Sequence, residues 1–326
     1  MPRRLLIVGC GDVVRRALPA LTRRWRVFAL VRELDPALHI LGVKQIRGDL
    51  DQPATLRRLA GLAHAVLHSA PPPGTGSGDP RTQRLLATLA NARSLPRRIV
   101  YISTTGVYGN CGGAHVPETR PLAAATPRAR RRVAAEGLLR DFGGRGRTRV
   151  SFLRAPGIYA ADRLPLERIR RGDPLLVPGD DVYTNHIHAE DLANACVVAL
   201  ERGGANRAYN ICDDSAVLMG DWFDRLADAF ALPRAPRATR AEVQTRLSPM
   251  LLSFMGESRQ LQNARMKKEL GLRLRYPTVD SGIAAAVQSH PLPASPSRGL
   301  NARPLPTSPS RGLNARPLPS SPSRGR

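Results

Sequence analysis

Short, continuous apolar runs alternate with amphipathic segments along residues 1–290, and this alternation most constrains the fold. We predict strands at residues 5–8, 27–31, 65–68, 99–103 and 151–154. Helical patterns lie between them at residues 14–22, 55–62, 81–92 and 130–142. Strands that are apolar throughout and separated by helices indicate a parallel sheet covered on both faces. The sequence therefore predicts an α/β fold of the doubly wound, Rossmann type, which binds ligands at the carboxyl ends of its strands.

The rest of the chain divides into a lobe and a tail. Residues 160–288 are expected to supply a smaller, substrate-facing lobe, with helices near 189–201, 220–229 and 258–270 and a short strand at 208–211. A unit rich in Pro, Ser and Arg begins at residue 291 and again at 304 and 317, a period of 13. This unit has no apolar face to bury, so we predict that residues 291–326 are a disordered tail, with a proline-rich ligand for a partner domain as the alternative.

The first predicted turn has the glycine spacing of a nucleotide-binding loop. In LLIVGCGDVV, Gly9 permits a tight turn after the strand, and Gly11 lets the backbone approach a pyrophosphate. The helix that follows, with Asp12 and Val13 in its first turn, offers free N–H groups to that anion. Val14 replaces the third glycine of G-x-G-x-x-G, which would move the helix slightly outward. Tight turns without a ligand also use glycine, so the loop by itself leaves both interpretations open.

The end of the second strand distinguishes between two dinucleotides. A carboxylate there binds the ribose 2′-hydroxyl of NAD, whereas an arginine accommodates the 2′-phosphate of NADP. The strand ends in FALVRELD, which places Arg32 at this position with Glu33 behind it. NADP is the predicted cofactor and NAD the alternative, since Arg32 is also one arginine among many. Asp49, after the third strand, either meets the adenine or caps the helix near Pro53.

The charge balance of 50 Lys+Arg against 26 Asp+Glu, a net +24, is typical of proteins that bind nucleic acid. Only Lys44, Lys267 and Lys268 are lysines, so the excess is almost entirely arginine and resembles the codon bias of a GC-rich genome acting on solvated positions. No aromatic residues interleave with the arginine run of residues 128–132, and acidic residues interrupt its continuation. We therefore expect no nucleic-acid partner.

Other classes are disfavoured by simple patterns. No apolar stretch approaches the 18 or more residues of a membrane span, and glycine interrupts the first apolar run too early for a signal peptide. The four cysteines, Cys10, Cys111, Cys196 and Cys212, form no C-x-x-C pair, which excludes a zinc ribbon and makes a disulfide scaffold unexpected. The sequence predicts a cytoplasmic protein without a membrane partner.

Six segments occur in the order and spacing of the extended short-chain dehydrogenases/reductases: IVGCGDV, GDLD, HSAPPP, YISTTGVYG, LRAPGIY and NHIHAEDLA. The chain resembles this group, which includes the NAD-dependent epimerase/dehydratases, over about residues 4–288, and its atypical members in particular. The resemblance implies an NAD(P)-dependent oxidoreductase or epimerase/dehydratase-like enzyme, a small-molecule carbonyl or sugar-nucleotide-like substrate, and a homodimer, which is common in the group. It also adds five residues to the expected cofactor site: Leu50, Ser69, Ala70, Pro156 and Gly157.

Enzymes of this group use a Ser/Thr after the fifth strand and a Tyr-x-x-x-Lys pair on the next helix. Thr104 matches the first position; aligning TPRARRRVAAEGLL on its Ala-Glu ending places Arg128 at the tyrosine and Arg132 at the lysine. Arginine stays protonated near neutral pH and has no acceptor atom, so it cannot exchange a proton as tyrosine does. Arg132 can still donate hydrogen bonds to a ribose or phosphate.

Tyr108 and Tyr159 are candidate replacements for the missing proton donor, with structural packing as the alternative for both. His186 and His188 share one face of a predicted strand, but no third ligand is near them in the sequence, so we expect no metal. Two functional hypotheses remain. One is an NADP-dependent oxidoreductase or epimerase-like enzyme with a rearranged active site, and the other is a non-catalytic NAD(P)-binding sensor or regulator.

Overall fold

A computed structural model describes residues 3–289 and contains a seven-stranded parallel sheet. Its strands are β1 Arg4–Val8, β2 Arg26–Val31, β3 Lys44–Arg47, β4 Ala65–His68, β5 Arg98–Thr104, β6 Arg149–Ala155 and β7 Arg207–Asn210. Their spatial order is β7-β6-β5-β4-β1-β2-β3, which reverses direction between β4 and β1. A crevice opens at such a reversal because the connections leave on opposite faces. The predicted doubly wound fold is confirmed, and the predicted tail, residues 291–326, lies outside the described residues.

The apolar strands occupy the centre because both of their faces are covered. Leu5 and Ile7 are 0% exposed and pack on one side of the sheet, while Leu6 and Val8 pack on the other. This alternation follows from the two-residue period of a strand. All five strands predicted from the sequence occur, each within two residues of its expected bounds.

Helices cover both faces of the sheet and fill the lobe. The α-helices of the described part of the chain are Asp12–Thr22, Pro36–Ile40, Pro80–Ala90, Pro127–Arg145, Leu166–Arg170, Ala189–Arg202, Met219–Ala229, Arg240–Arg246, Pro249–Met255 and Val279–Ser289. Short 3₁₀ helices cover Pro53–Leu59, Thr105–Tyr108 and Ala161–Arg163. The helix predicted at 55–62 is the first of these, in which the buried Leu56 and Leu59 are three residues apart, the period of a 3₁₀ helix.

A separate apolar core, which includes Leu175, Trp222, Phe223 and Ile283, defines the smaller lobe. Two-residue and three-residue strands brace the loops around it: His115–Val116, Gly157–Tyr159, Leu175–Leu176, Tyr183–Thr184, His186–His188, Val217–Leu218, Arg237–Ala238 and Gln260–Leu261.

Two segments that the sequence assigns to the lobe differ in the structure. The strand expected at 208–211 is β7, which lies parallel to β6 at the edge of the large sheet. The helix expected at 258–270 is instead the strand Gln260–Leu261 followed by a π-helical turn, Met266–Leu270. Pairing with His115–Val116 extends the backbone here, a long-range contact that local periodicity does not reveal.

A buried ion pair joins the sheet to its longest helix. Arg154 of β6 and Glu136 of helix Pro127–Arg145 are 2% and 1% exposed, and their side chains meet at 2.7 and 3.1 Å. The Ser103 hydroxyl of β5 also donates to Glu136, at 2.7 Å. Arg154 donates to the Tyr108 hydroxyl at 2.8 Å, and that hydroxyl donates to Asn210 of β7 at 2.7 Å. The network therefore connects three strands, the helix and the loop after β5.

We expect Arg154→Met to lower the free energy of unfolding by about 3–5 kcal/mol, because it leaves the Glu136 carboxylate buried without its cation. The double variant Arg154→Met/Glu136→Gln is expected to recover most of this loss. Arg234→Met, which removes an exposed ion pair with Asp228, is the control and should cost less than about 1 kcal/mol. Urea denaturation measures all three, and a loss below about 1 kcal/mol for Arg154→Met would contradict the prediction.

Candidate functional site

A groove with a volume of about 810 Å³ runs along the carboxyl ends of the strands at the point where the sheet order reverses. Its walls come from the loops after β1, β2, β3 and β4. The lining residues are Val8, Gly9, Cys10, Gly11, Arg15, Leu30, Val31, Arg32, Glu33, Leu34, Asp35, Pro36, Leu38, Gly48, Asp49, Leu50, Ala70, Pro71 and Arg81. The volume lies within the roughly 300–1,000 Å³ of ligand pockets. Six predicted cofactor residues therefore line one groove: Gly9, Gly11, Arg32, Asp49, Leu50 and Ala70.

The glycine loop closes the groove at β1, and its two glycines have different roles. Gly9 has φ +91°, and a Cβ there would lie 2.4 Å from the backbone nitrogen of Ala70. The Ser69 hydroxyl donates to the Gly9 carbonyl, so the loops after β1 and β4 are held together. A Cβ on Gly11 would meet no atom within 4 Å. Gly9 is required by the fold, whereas the bare backbone at Gly11 leaves open space above the sheet.

Gly11 occupies the N-cap position of helix Asp12–Thr22, and no side chain caps this helix start. The first N–H groups of an uncapped helix attract anions. Asp12 points away toward Arg16 and Arg163, whose nitrogens lie 3.0 and 2.9 Å from its carboxylate. Partial burial opposes ionisation, but these hydrogen bonds outweigh it and lower the pKa of Asp12. Val13 is 9% exposed and packs in the core, so only its backbone is available to a ligand.

The end of β2 presents one cation to the groove. Arg32 is exposed, and within residues 3–289 its guanidinium has no hydrogen bond or ion pair. Asp35, the nearby carboxylate, is held by Arg15 and by the Ala37 amide at 2.9 Å. Hydrogen bonding to Arg15 is the main cause that lowers the pKa of Asp35. The side chains of Arg32 and of the adjacent Glu33, which also lines the groove, thus have no hydrogen bond or ion pair within residues 3–289.

The third loop forms the floor of the groove. Leu50 is 6% exposed, and Asp49 uses one carboxylate oxygen to accept the Asp51 amide at 2.9 Å. Gln52, not Asp49, occupies the cap position of the following 3₁₀ helix, so the capping alternative for Asp49 is wrong. Arg15 and Arg81 also line the groove, although sequence patterns did not single them out. The only signal in the sequence for Arg15 is that it follows the glycine loop, and the only signal for Arg81 is that it lies near an acidic residue.

At the end of β5, Thr104 and Tyr108 have different surroundings. The Thr104 oxygen is half-buried and accepts the Gly106 amide at 3.3 Å, while its hydroxyl proton has no acceptor in the described structure. Tyr108 is 1% exposed, and its hydroxyl both donates to Asn210 and accepts from Arg154. Burial raises the pKa of Tyr108 despite the positive charge of Arg154. A hydroxyl engaged in this way is poorly placed for a substrate, which favours the packing alternative for Tyr108.

Arg132 and Arg128 project from the first two turns of helix Pro127–Arg145. Arg132 donates to the Tyr101 hydroxyl and to the Ile102 carbonyl, both at 2.9 Å, and so lies against the carboxyl end of β5. The guanidinium carbon of Arg128 lies 5.0 Å from the ring centre of Phe254, a residue of helix Pro249–Met255. The two arginines therefore stand between the sheet and the lobe.

Pro156 and Gly157 follow β6, where Gly157 is exposed and its amide donates to the Asn185 carbonyl at 3.1 Å. Tyr159, the second tyrosine candidate, is 3% exposed and packs edge-on against His186, His188 and Trp222. Burial is the main cause that raises the pKa of Tyr159. A Cβ on Gly282 would lie 2.2 Å from the Tyr159 hydroxyl, so this ring fills space between β6 and the lobe.

Neither a metal cluster nor a membrane helix occurs in the part of the chain that the structure describes. In residues 3–289 no three His, Cys, Asp or Glu side chains are arranged to hold a metal ion. His186 stacks on Trp222 at 4.1 Å, and the His188 ring nitrogen accepts the Glu190 amide at 3.3 Å. The described helices are all too short or too polar to cross a bilayer.

Similar proteins agree with this architecture. The 2-alkyl-3-oxoalkanoate reductase of Stenotrophomonas maltophilia is 28% identical over 287 residues, which are 78% of this chain and 86% of that protein. A conserved protein of unknown function from Silicibacter pomeroyi superimposes with a TM-score of 0.73 at 30% identity, over 88% of this chain and 99% of its own. MoeE5, solved with UDP-glucose and NAD, has a TM-score of 0.66 at 22% identity, over 87% and 97%.

The sequence profile of the NAD dependent epimerase/dehydratase family matches residues 11–212, which run from the second glycine of the loop to the end of β7. This span contains the groove residues after β2, β3 and β4, Thr104 and the helix that carries Arg128 and Arg132. Since the match covers more than half of the chain and agrees with the order of the strands, the protein belongs to the NAD dependent epimerase/dehydratase family.

Proposed function

We propose that the protein binds a nicotinamide dinucleotide, NADP in preference to NAD, and acts as an oxidoreductase or epimerase-like enzyme on a small carbonyl or hydroxyl compound. The observation that carries the proposal is the open space at Gly11. There, the start of a helix without a side-chain cap faces the groove at the point where the strand order reverses. The pyrophosphate of a dinucleotide fits this donor set, because it needs N–H donors and close backbone approach. The family and the named activity of the Stenotrophomonas relative support a redox reaction.

The residues of the groove are assigned by position. Gly9, Gly11, Asp12 and Val13 would hold the pyrophosphate through their backbone, and Arg32 the 2′-phosphate. Asp49 and Leu50 would face the adenine. Ser69 and Ala70 would pack against the dinucleotide from β4, and Arg132, Pro156 and Gly157 would border the nicotinamide ribose. When bound, this cofactor supplies or accepts the hydride.

Thr104 is the proposed catalytic residue. Its oxygen already accepts the Gly106 amide, so the hydroxyl proton is directed elsewhere and can bond to the substrate oxygen. A donor aimed at the oxygen on which negative charge develops stabilises the transition state. The proton for that oxygen must come from water, because Arg128 and Arg132 do not release protons near neutral pH. Tyr108 is proposed to act by holding the loop after β5 rather than by proton transfer.

A second candidate function is an NAD(P)-binding sensor without catalysis. None of the three lysines in the chain follows a tyrosine by four residues, and Arg132 is already bonded to Tyr101 and Ile102. This candidate predicts dinucleotide binding without turnover. NADPH oxidation by purified protein with oxo acids, ketones and nucleotide sugars separates the two.

The glycine loop allows a paired test of the cofactor site. Gly11→Ala should leave the melting temperature within about 2 °C, since the new Cβ meets only open space, yet weaken NADP binding at least tenfold. Gly9→Ala should lower the melting temperature by several degrees, because it requires φ +91° and a 2.4 Å contact. Calorimetry and thermal melting measure both. Unchanged NADP affinity in Gly11→Ala would exclude the proposed pyrophosphate site.

Arg32→Ala tests cofactor preference. The loss of a charged hydrogen bond worth about 1.5–3 kcal/mol should weaken NADP binding by about 10- to 100-fold and leave NAD affinity within about twofold. Arg93→Ala is the control, since Arg93 is an exposed arginine in the loop that leads into the amino end of β5, away from the carboxyl ends that border the groove. Calorimetric titration with both dinucleotides gives the affinities. Equal losses for NADP and NAD would contradict the assignment of the 2′-phosphate to Arg32.

Thr104→Val should lower kcat by about 100- to 1,000-fold with NADP affinity unchanged, because it removes one donor to the reacting oxygen. Thr104→Ser retains the hydroxyl and should keep most of the activity. Stopped-flow measurement of NADPH absorbance, with any carbonyl substrate that supports turnover, provides the rates. Full activity of Thr104→Val would show that the reacting oxygen is bound elsewhere.

A further inference from the structure

Arg128 lies in the first turn of the helix Pro127–Arg145, whose Ala129 packs near Thr104. The Thr126 hydroxyl begins the helix Pro127–Arg145 by accepting the Ala129 amide at 3.2 Å. A Cβ built on Gly106 would lie 3.6 Å from the Ala129 side chain and 3.7 Å from the Thr104 hydroxyl oxygen. The start of the helix and Thr104 thus border the same small space, and Arg128 directly precedes Ala129.

The charge at this helix start is unfavourable for the protein alone. The first two turns contain Arg128, Arg130, Arg131 and Arg132, with no acidic residue in the first turn. Cations near a helix N-terminus oppose the helix dipole, and like charges four residues apart repel. Arg131 donates to the Gly76 carbonyl at 3.0 Å and Arg132 to Tyr101 at 2.9 Å. The side chains of Arg128 and Arg130 have no hydrogen bond or ion pair within residues 3–289, and of these two only Arg128 contacts an aromatic ring.

The surroundings of Arg128 orient its guanidinium without using its donors. The guanidinium carbon lies over the Phe254 ring at 5.0 Å from its centre, a contact with the ring face that uses none of the N–H donors. Glu257, an acid that acts on Arg128 electrostatically, accepts a hydrogen bond from Arg259 at 2.8 Å with one carboxylate oxygen. The other oxygen of Glu257 and the Arg259 Nε atom are buried without a hydrogen-bond partner among the described residues. Burial and the charge of Arg132 lower the pKa of Arg128, while the charge of Glu257 acts in the opposite direction.

The free donors of Arg128 form a planar fork that matches a carboxylate in two parallel hydrogen bonds. Because the start of this helix packs near Thr104, a charge only a few bonds from the reacting carbon suits the arrangement. A 2-oxo or 3-oxo acid meets that condition. In a nucleotide sugar, by contrast, the sugar ring separates the phosphates from most of the hydroxyl-bearing carbons.

We propose that Arg128 binds the carboxylate of an oxo acid or hydroxy acid whose reacting oxygen faces Thr104. The proposal deepens the proposed function and rests on it. A phosphate group has the same oxyanion chemistry, so the test includes both sources. Arg128 would be a specificity residue that replaces the usual proton donor by a fixed positive charge.

The test uses the full-length protein saturated with NADP⁺ and calorimetric titration with pyruvate, acetoacetate, methyl acetoacetate and inorganic phosphate. We expect at least one oxo acid to bind, with a Kd at least tenfold higher in Arg128→Gln and less affected in Arg128→Lys. The uncharged ester should bind at least tenfold more weakly than acetoacetate and be insensitive to Arg128→Gln. Arg130→Gln is the matched control, since this exposed arginine lies on the same turn, and it should change each Kd less than twofold.

Thermal melting distinguishes a structural role of Arg128 from a role in ligand binding. Because Arg128→Gln removes charge repulsion at the helix start, the melting temperature of this variant should equal or exceed that of the unmodified protein. The oxo acid should raise the melting temperature of the unmodified protein but not that of the variant. If NADP⁺ binds normally and the oxo acid binds equally well to Arg128→Gln and Arg130→Gln, this inference is overturned but the proposed function is not. The same holds if NADP⁺ binds and neither pyruvate nor acetoacetate binds. Phosphate binding tighter than either acid and dependent on Arg128 would overturn the carboxylate assignment. Failure of NADP⁺ itself to bind would overturn the proposed function as well.

Discussion

The buried ion pair between Arg154 and Glu136 holds together the parts of the protein on which its candidate site depends. A charge at 1–2% exposure is stable only when its partner and remaining hydrogen bonds are in place, so this pair tolerates little displacement. Glu136 also binds Ser103, the neighbour of Thr104, and it follows Arg132 and Arg128 by about one and two turns of the same helix. The position of one carboxylate thereby determines where the threonine and both arginines lie.

The same network explains why Tyr108 is an unsuitable proton donor despite its place in the family pattern. Its hydroxyl bonds to Arg154 and Asn210 and so connects the loop after β5 to β6 and β7. The proposed catalytic position is then left with Thr104, a donor, and with arginines that stay charged. A site of this composition stabilises negative charge on a substrate but does not exchange protons with it, which is why we assign the proton to water.

Arginine is abundant in this chain, but the individual arginine side chains have different environments. Arg3, Arg81 and Arg207 pair with exposed carboxylates, interactions that contribute at most about 1 kcal/mol each. The guanidinium groups of Arg32 and Arg128, like those of several other arginines such as Arg93, have no acid or carbonyl partner among the described residues, and they differ from those in lying beside the proposed site. Both border the proposed binding region, at its two opposite ends. A net charge that is mostly background therefore includes two positions at which we propose that an anion from outside the protein binds.

Local chemistry was sufficient to predict much of the fold and several residues that line the groove. The runs LLIV and VFALV are apolar throughout, as expected for strands that are buried on both faces. Gly9 and Gly11 mark the loop between the first strand and the first helix. Residues 208–211 and 258–270 were assigned differently because their structure depends on pairing with β6 and with His115–Val116, far away in the sequence. The Arg in SFLRAP was a missed signal, since a charged residue inside a buried strand requires a buried partner.

The sequence by itself determined the doubly wound sheet, the glycine loop, the arginine after β2 and the absence of a Tyr-x-x-x-Lys pair, because each depends on residue type and short spacing. Only the tertiary structure decided that Tyr108 is enclosed by Arg154 and Asn210, that Asp49 caps no helix, and that Arg128 lacks a partner. These properties depend on which groups meet across distant segments, and hydrogen bonding and burial are settled only when the chain is packed.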